Sequence, residues 1–191
     1  MTPAAISPRI RAWLAAAIVS LPSGTAGADA AADIQRGATG FYRVYMEARP
    51  AGVPHGKALA RFAPVISSSL AELLQRAAAA ERRYAKLTEK KVPPLVEGDL
   101  FTSLFEGAQS FAIRECHRGA AGGAACTVEL QTAGGAGKTP VRWADKVYLI
   151  RNDRRWVVDD IEFGGDWPFM HKGRLREILR RVIREGANAG P

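Results

Sequence analysis

Histidine and cysteine are scarce in this chain of 191 residues, which holds three of the first and two of the second. His55, His117 and His171 are scattered, with no helical or strand spacing that would converge on an ion, so no metal site is expected. Cys116 and Cys126 lack the CxxC spacing of a redox pair. No serine sits in an elbow motif, and no Ser/His/Asp order emerges. The stretch TAGGAGKT, Thr132 to Thr139, does not make a phosphate-binding loop. Thr132 stands where that motif needs glycine, and Pro140 with a strand follows where it needs a helix. A mobile hairpin loop is the expectation there, and no cofactor is implied. Long apolar runs are lacking too: Trp13 to Leu21 falls far short of the roughly 20 residues that span a bilayer.

That short run has a different meaning. Arg9 and Arg11 precede it, and Pro22, Ser23, Gly24 and small residues through Ala30 follow, which is the layout of a secretory signal peptide. Residues 1–28 are assigned to it, with cleavage after Ala28 and Ala30 as the alternative. No cysteine is available for a lipid anchor, and Arg9-Ile10-Arg11 is not a twin-arginine pair. The product is expected to be periplasmic or secreted. About 163 residues then remain (191 minus 28), enough for one domain at 29–186, with 187–191 as a disordered tail. The formal charge of +8 falls to about +6 without Arg9 and Arg11, which favours acidic partners or anionic surfaces. Nucleic acid is not an expected partner for an exported protein.

Export also changes the reading of the cysteines. In an oxidising compartment, Cys116 and Cys126, which flank HRGAAGGAA, are expected to pair. Strand alternation places Cys116 with Ser110, Ala112 and Arg114 on a polar face, but Cys126 with Val128 and Leu130 on an apolar one. A bulge is needed to reconcile them.

Periodicity supplies the elements. Ile34, Ala38, Phe41 and Tyr45 form a helical stripe, with Asp33 as N-cap and Arg49-Pro50 as the end. The interval from Ala51 to Pro64 reads as loop, with at most one turn around Ala58 to Phe62. A second helix opens on the capping box Ser69 to Glu72 and buries Leu70, Leu73, Leu74, Ala77, Tyr84 and Leu87. Alternation then predicts strands at 110–117, 126–132, 141–151 and 155–163, the last two joined by a turn at Asn152-Asp153. A closing helix carries Leu175, Ile178, Leu179 and Val182 inward and stops at Gly186. Helices, then strands, then a helix is an α+β order, with helices on one face of an antiparallel sheet.

Two motifs, EGDLFTSLFEG and RWVVDDIEFGGDW with KGRL after it, resemble the bacterial domain-of-unknown-function 3828 family over roughly 41–182. That resemblance implies an exported protein with the cone-shaped α+β fold of nuclear transport factor 2-like and cystatin-like proteins. It does not imply an activity, because the superfold hosts isomerases, dehydratases and binding modules alike.

The candidate site residues are acids. Adjacent strand residues face opposite ways, so Asp159 and Asp160 serve different sides of the sheet. With Trp156 and Val158 inward, Asp160 is the inward one; with Val157, Ile161 and Phe163 inward, it is Asp159. Asp145 shares the inward parity of Val141, Trp143, Val147 and Leu149. A carboxylate turned into a half-apolar cavity has its pKa raised and becomes competent for acid/base work. The competing reading is that these acids hold backbone amides, Arg114 or Arg142, and lock the sheet corner. Asp99 and Glu106 are read first as capping and loop-pinning residues and second as pocket residues, and Asp166 as the pin of the corner Gly165 to Pro168. Lys172, Arg174, Arg176, Arg180, Arg181 and Arg184 give the closing helix a basic face able to make a weak contact with an anionic surface.

The leading expectation is a non-enzymatic module that binds a small ligand or a periplasmic protein through a pocket or the open sheet face, where a homodimer would also form. The alternatives are a lyase or isomerase with an aspartate base, and an inhibitor or immunity-type protein with a basic binding face.

Overall fold

A computed structural model describes residues 25–119, 122–133, 139–168 and 170–188, the side chains of 25–28 excepted. Residues 1–24 of the expected signal peptide 1–28, residues 134–138 of the expected glycine-rich loop and residues 189–191 of the expected tail lie outside the described residues. The chain forms α1 (Thr25–Ala48), α2 (Gly56–Phe62), α3 (Ser68–Leu87), β1 (Ser110–Arg118), β2 (Ala124–Gln131), β3 (Arg142–Asn152), β4 (Arg155–Glu162) and α4 (Leu175–Asn188). The strands make one antiparallel sheet in the order β1-β2-β3-β4, each joined to the next by a hairpin connection. The α+β class and the four strands agree with the sequence-based expectation to within two residues at their ends.

The inward face of the sheet packs on α1 through rings. Phe41, Tyr42, Tyr45, Phe62 and Phe101 are fully buried, and neighbouring centroids lie 4.9 to 6.4 Å apart. Burying each ring is worth roughly 1.5–3 kcal/mol, so this cluster fills the space between the sheet and the first two helices as the main core. α1 also crosses β4 at close range. A Cβ on Gly37 would sit 2.6 Å from the Trp156 carbonyl oxygen, so only glycine permits this approach.

Several local expectations are corrected by tertiary contacts. α1 takes in Thr25–Ala48, so Asp33 lies inside it, paired with Arg36 one turn on, and is not an N-cap. The cap of α3 is Ser67 rather than Ser69: its Oγ accepts from the Leu70 N–H at 3.0 Å. Near the end of that helix Tyr84 is only half-buried and Leu87 is exposed. The β3–β4 turn is Asp153-Arg154, with Asp153 at φ 53°, a conformation aspartate tolerates. Gly186 does not stop α4, which continues to Asn188 and so takes in the first two residues of the expected tail. Gly186 is instead the contact point with α3, where an added Cβ would come within 2.8 Å of Ala80.

The two edges of the sheet differ. β4 is covered by short bridges, one from Ile66 to Val158 and one from Arg174 to Glu162. Ser67 N–H donates to the Val158 carbonyl at 2.8 Å, and Val158 N–H donates to the Val65 carbonyl at 2.9 Å. β1 pairs only with β2 among the described residues, and it is kept from edge-to-edge association by charged side chains and a register shift between Ile113 and Cys116. That shift is the bulge that the cysteine parities required. It brings Cys116 opposite Cys126, bonded with Cα atoms 4.1 Å apart. Closing a loop with a sequence separation of 10 should contribute about 2–3 kcal/mol. The Cys116→Ser/Cys126→Ser protein is therefore expected to lose that much stability in urea unfolding; an unchanged midpoint would show that the bridge is dispensable.

Candidate functional site

Asp145 is the most enclosed acid, with 1% of its surface exposed. It faces inward as its parity predicts, into a nest of donors and not a cavity. Its oxygens accept from the N–H groups of Ser103 (2.9 Å) and Gly164 (2.9 Å), from Trp143 Nε1 (3.2 Å) and from the Ser103 hydroxyl. Ser103 Oγ in turn accepts from the Gly165 N–H at 3.1 Å. One carboxylate thus ties the two motifs singled out in the sequence, EGDLFTSLFEG and the FGG corner after β4. Burial pushes the Asp145 pKa up, and the four hydrogen bonds oppose that shift.

Asp99 serves the same loop. Its Oδ1 accepts from Phe101 N–H (2.8 Å) and Thr102 N–H (2.7 Å), closing an irregular turn. The Tyr45 hydroxyl, which accepts from Ala108 N–H at 2.9 Å, lies against the same carboxylate. Burial raises the Asp99 pKa to about 6 against the pull of Tyr45 and the two amides. His171 donates from Nε2 to the Asp99 carbonyl at 2.5 Å, and its N–H donates to the Ser103 carbonyl at 3.1 Å. The side chain of Asp166, the expected corner pin, is exposed and finds no partner among the described residues; Asp145 and Ser103 hold that corner instead.

Asp159 and Asp160 depart from simple alternation. The β3–β4 register shifts between Tyr148 and Leu149, pairing Leu149 with Val158 but Val147 with Ile161. The extra residue is Asp159, so Val158 and Ile161 both face inward and Asp160, opposite Tyr148, faces the other side. Neither parity drawn from the sequence holds along the whole strand. Asp160 is nevertheless buried, because the start of α4 covers it: its Oδ1 accepts from Arg176 N–H at 3.1 Å and from Ile161 N–H at 3.0 Å, and Arg174 lies 3.7 Å from Oδ2. Burial raises its pKa. Asp159 Oδ1 accepts from Ser67 Oγ (2.6 Å), Ser69 Oγ (3.1 Å) and Arg176 (2.8 Å). This cluster joins β4 to the N-termini of α3 and α4. The partners proposed from sequence, Arg114 and Arg142, are elsewhere.

Glu106 is exposed and lines an apolar depression with Leu104, Phe105, Val141, Trp167 and Met170. The residues that sequence reasoning missed are Ser103, Tyr45 and His171. Ser103 carried a signal, since a Thr-Ser pair inside an otherwise apolar motif needs buried partners; Tyr45 and His171 carried none.

The open sheet face holds a different kind of site. Cross-strand rows place Ala112, Glu129 and Ala144 side by side, and Ser110, Gln131 and Arg142 in the next row. Together with Arg114 they line a groove of about 500 Å³. Its floor is small because two alanines stand in the middle row. Its walls are polar: Arg114 pairs with Glu129 at 2.6 Å, and Arg142 Nε donates to Gln131 Oε1 at 3.1 Å. The hydrogen bond from Arg114 holds the Glu129 carboxyl below its ordinary range. No metal-holding cluster of histidine, cysteine or carboxylates occurs among the described residues. Neither protein-family models nor curated proteins give a match to this chain.

Proposed function

We propose that the chain is an exported binding module whose open sheet face takes a small polar ligand or peptide segment bearing a carboxylate. One observation carries this reading: Asp99, Asp145, Asp159 and Asp160 are engaged by backbone amides, hydroxyls or arginines, whereas the groove presents charged groups on an accessible surface. A lyase or isomerase mechanism would need one of those aspartates free to meet a substrate, and that reading is dropped. Arg114 and Arg142 would hold a carboxylate, and Glu129 and Gln131 would hold a donor beside it. The disulfide fits an oxidising compartment, in keeping with export. The α+β order and the two linked motifs support membership of the domain-of-unknown-function 3828 family and its nuclear transport factor 2-like fold.

Titration of the protein with a set of dipeptides and dicarboxylic acids, read by amide NMR shifts, tests the assignment. Saturable shifts on β1, β2 and β3 are expected, weakened at least about tenfold by Ala144→Trp, which fills the floor. Shifts that survive this substitution, or turnover abolished by Asp160→Asn, would overturn it. A second copy covering the same face would instead give a concentration-dependent mass in sedimentation and block the titration.

A further inference from the structure

The two arginines of the groove do not bring equal charge to it. Arg114 of β1 donates to Glu129 Oε2 on the neighbouring strand at 2.6 Å. Arg142 of β3 donates through Nε to a neutral acceptor, the Gln131 amide oxygen. Glu129 rises between Ala112 and Ala144, its partners in the cross-strand row, and about half of its side chain is exposed. Of the charged groups lining the groove, Arg114 and Glu129 cancel and Arg142 is left over, a net of one positive charge. The neighbouring charges do not alter that balance. Lys146 stands opposite Glu162 on β4, and Arg174 contacts both Glu162 and Asp160, so two of each sign meet there. Glu115 lies in the β1 bulge and is not among the residues that line the groove.

That balance sets how many carboxylates a ligand brings. One of them on Arg142, touching the remaining N–H groups of Arg114, neutralises the groove. A second would meet Glu129, and like charges placed together cost affinity. What Glu129 offers instead is an acceptor, because its Oε1 has no hydrogen-bond partner among the described residues. An ammonium is the poorer donor to it, since Arg114 and Arg142 both line the groove it would enter. The fitting ligand therefore carries one carboxylate with a neutral donor close by. The end of a polypeptide has this pattern, a carboxylate two bonds from the last backbone nitrogen. Ala112 and Ala144 keep the floor low enough for that backbone to lie close, and Ser110 and Gln131 stand in the row of Arg142 as further polar partners.

Resting on the reading of this groove as a carboxylate site, we infer that its ligand is the free C-terminus of a peptide. Glu129 is the residue that sets selectivity: it accepts the last backbone N–H and, by occupying Arg114, excludes a second carboxylate. Capture of a chain end by its carboxylate is one of the recurring ways in which folded domains read peptides.

Amide NMR titration with four probes tests this: acetyl-Ala-Ala, its C-terminal amide, glutarate and lactate. In the parent chain acetyl-Ala-Ala is expected to bind about tenfold tighter than its amide, about threefold tighter than glutarate, and tighter than lactate. Glu129→Gln releases Arg114 and leaves two uncancelled cations, so glutarate should become the tighter ligand. Arg114→Gln bares Glu129 and should weaken acetyl-Ala-Ala about threefold without reversing the order. Both side chains are exposed, and unchanged melting curves would show the variants folded. An amide that binds as well as the acid, glutarate or lactate ahead in the parent chain, or a Glu129→Gln protein that keeps the parent's order would overturn the inference while leaving a carboxylate site in place. If none of the four probes shifts amides of β1, β2 and β3, the carboxylate site itself falls, and the C-terminal reading with it.

Discussion

Replacing Asp145 by alanine is expected to remove about 4 kcal/mol of stability and lower Tm by about 10 °C, the largest effect of any single acid in the chain. The substitution leaves Ser103 N–H and Trp143 Nε1 without an acceptor in a buried position, and it frees Gly164 N–H at the corner after β4. An unsatisfied buried donor costs about 1–3 kcal/mol, and the lost volume adds a cavity. Asp145→Asn should fall between, since it keeps one acceptor oxygen but turns an NH2 toward donors. Ser103→Ala alone should cost about 1–2 kcal/mol, and the two positions should couple in a double-mutant cycle because they share a hydrogen bond. Urea unfolding measures all three. A loss under about 1 kcal/mol for Asp145→Ala would mean the corner is held by something other than this carboxylate.

The second large effect is on pH. Asp99 has its folded-state pKa at about 6, above the value of about 4 for an unfolded aspartate. The fold therefore prefers its protonated form. Its stabilising contribution is fully present below about pH 4 and is lost as pH rises through about 6. A displacement of about two pH values is worth about 3 kcal/mol from this residue alone. Burial displaces Asp145 and Asp160 in the same direction. Glu162 works the other way, held low by the Tyr148 hydroxyl, so its contribution disappears on strong acidification. The protein should thus be more stable near pH 5 than near pH 8, by about 1.4 kcal/mol from Asp99 in urea titrations, and Asp99→Asn should flatten that slope. Stability that climbs over the same interval, or an Asn variant with the parent's slope, would refute the assignment.

Much of this architecture was legible in the residues because it is periodic. The stripe Ile34, Ala38, Phe41, Tyr45 and the stripe Leu175, Ile178, Leu179, Val182 are buried as spacing requires. The strands were legible because alternation breaks at glycine-rich or polar turns. What escaped was set by contacts distant in sequence. Ser67, Ser68 and Ser69 are equivalent candidates for capping α3 until Asp159, 92 residues away from Ser67, receives the hydroxyl of Ser67. The bulge in WVVDDIEF was hidden for a similar reason. Apolar residues on both sides of the aspartate pair satisfy either parity, and only the pairing with β3 shows that the strand uses both in turn. Of the candidate acids, Asp145 was placed inward correctly, but its role depended on Ser103 and Gly164, neither of which carries a charge to be noticed. The grouping of Arg36 with Arg154 and Arg155 could not be read either, since they share a depression only when the sheet and α1 are assembled.

The bridge between Ile66 and Val158 also bears on how the fold is acquired. The segment ahead of α3 gains its backbone partners, and its capping serine gains its acceptor, only when the last strand arrives. The segment ahead of α3 is therefore expected to stay open until β4 is in place, and non-local closure of this kind slows folding.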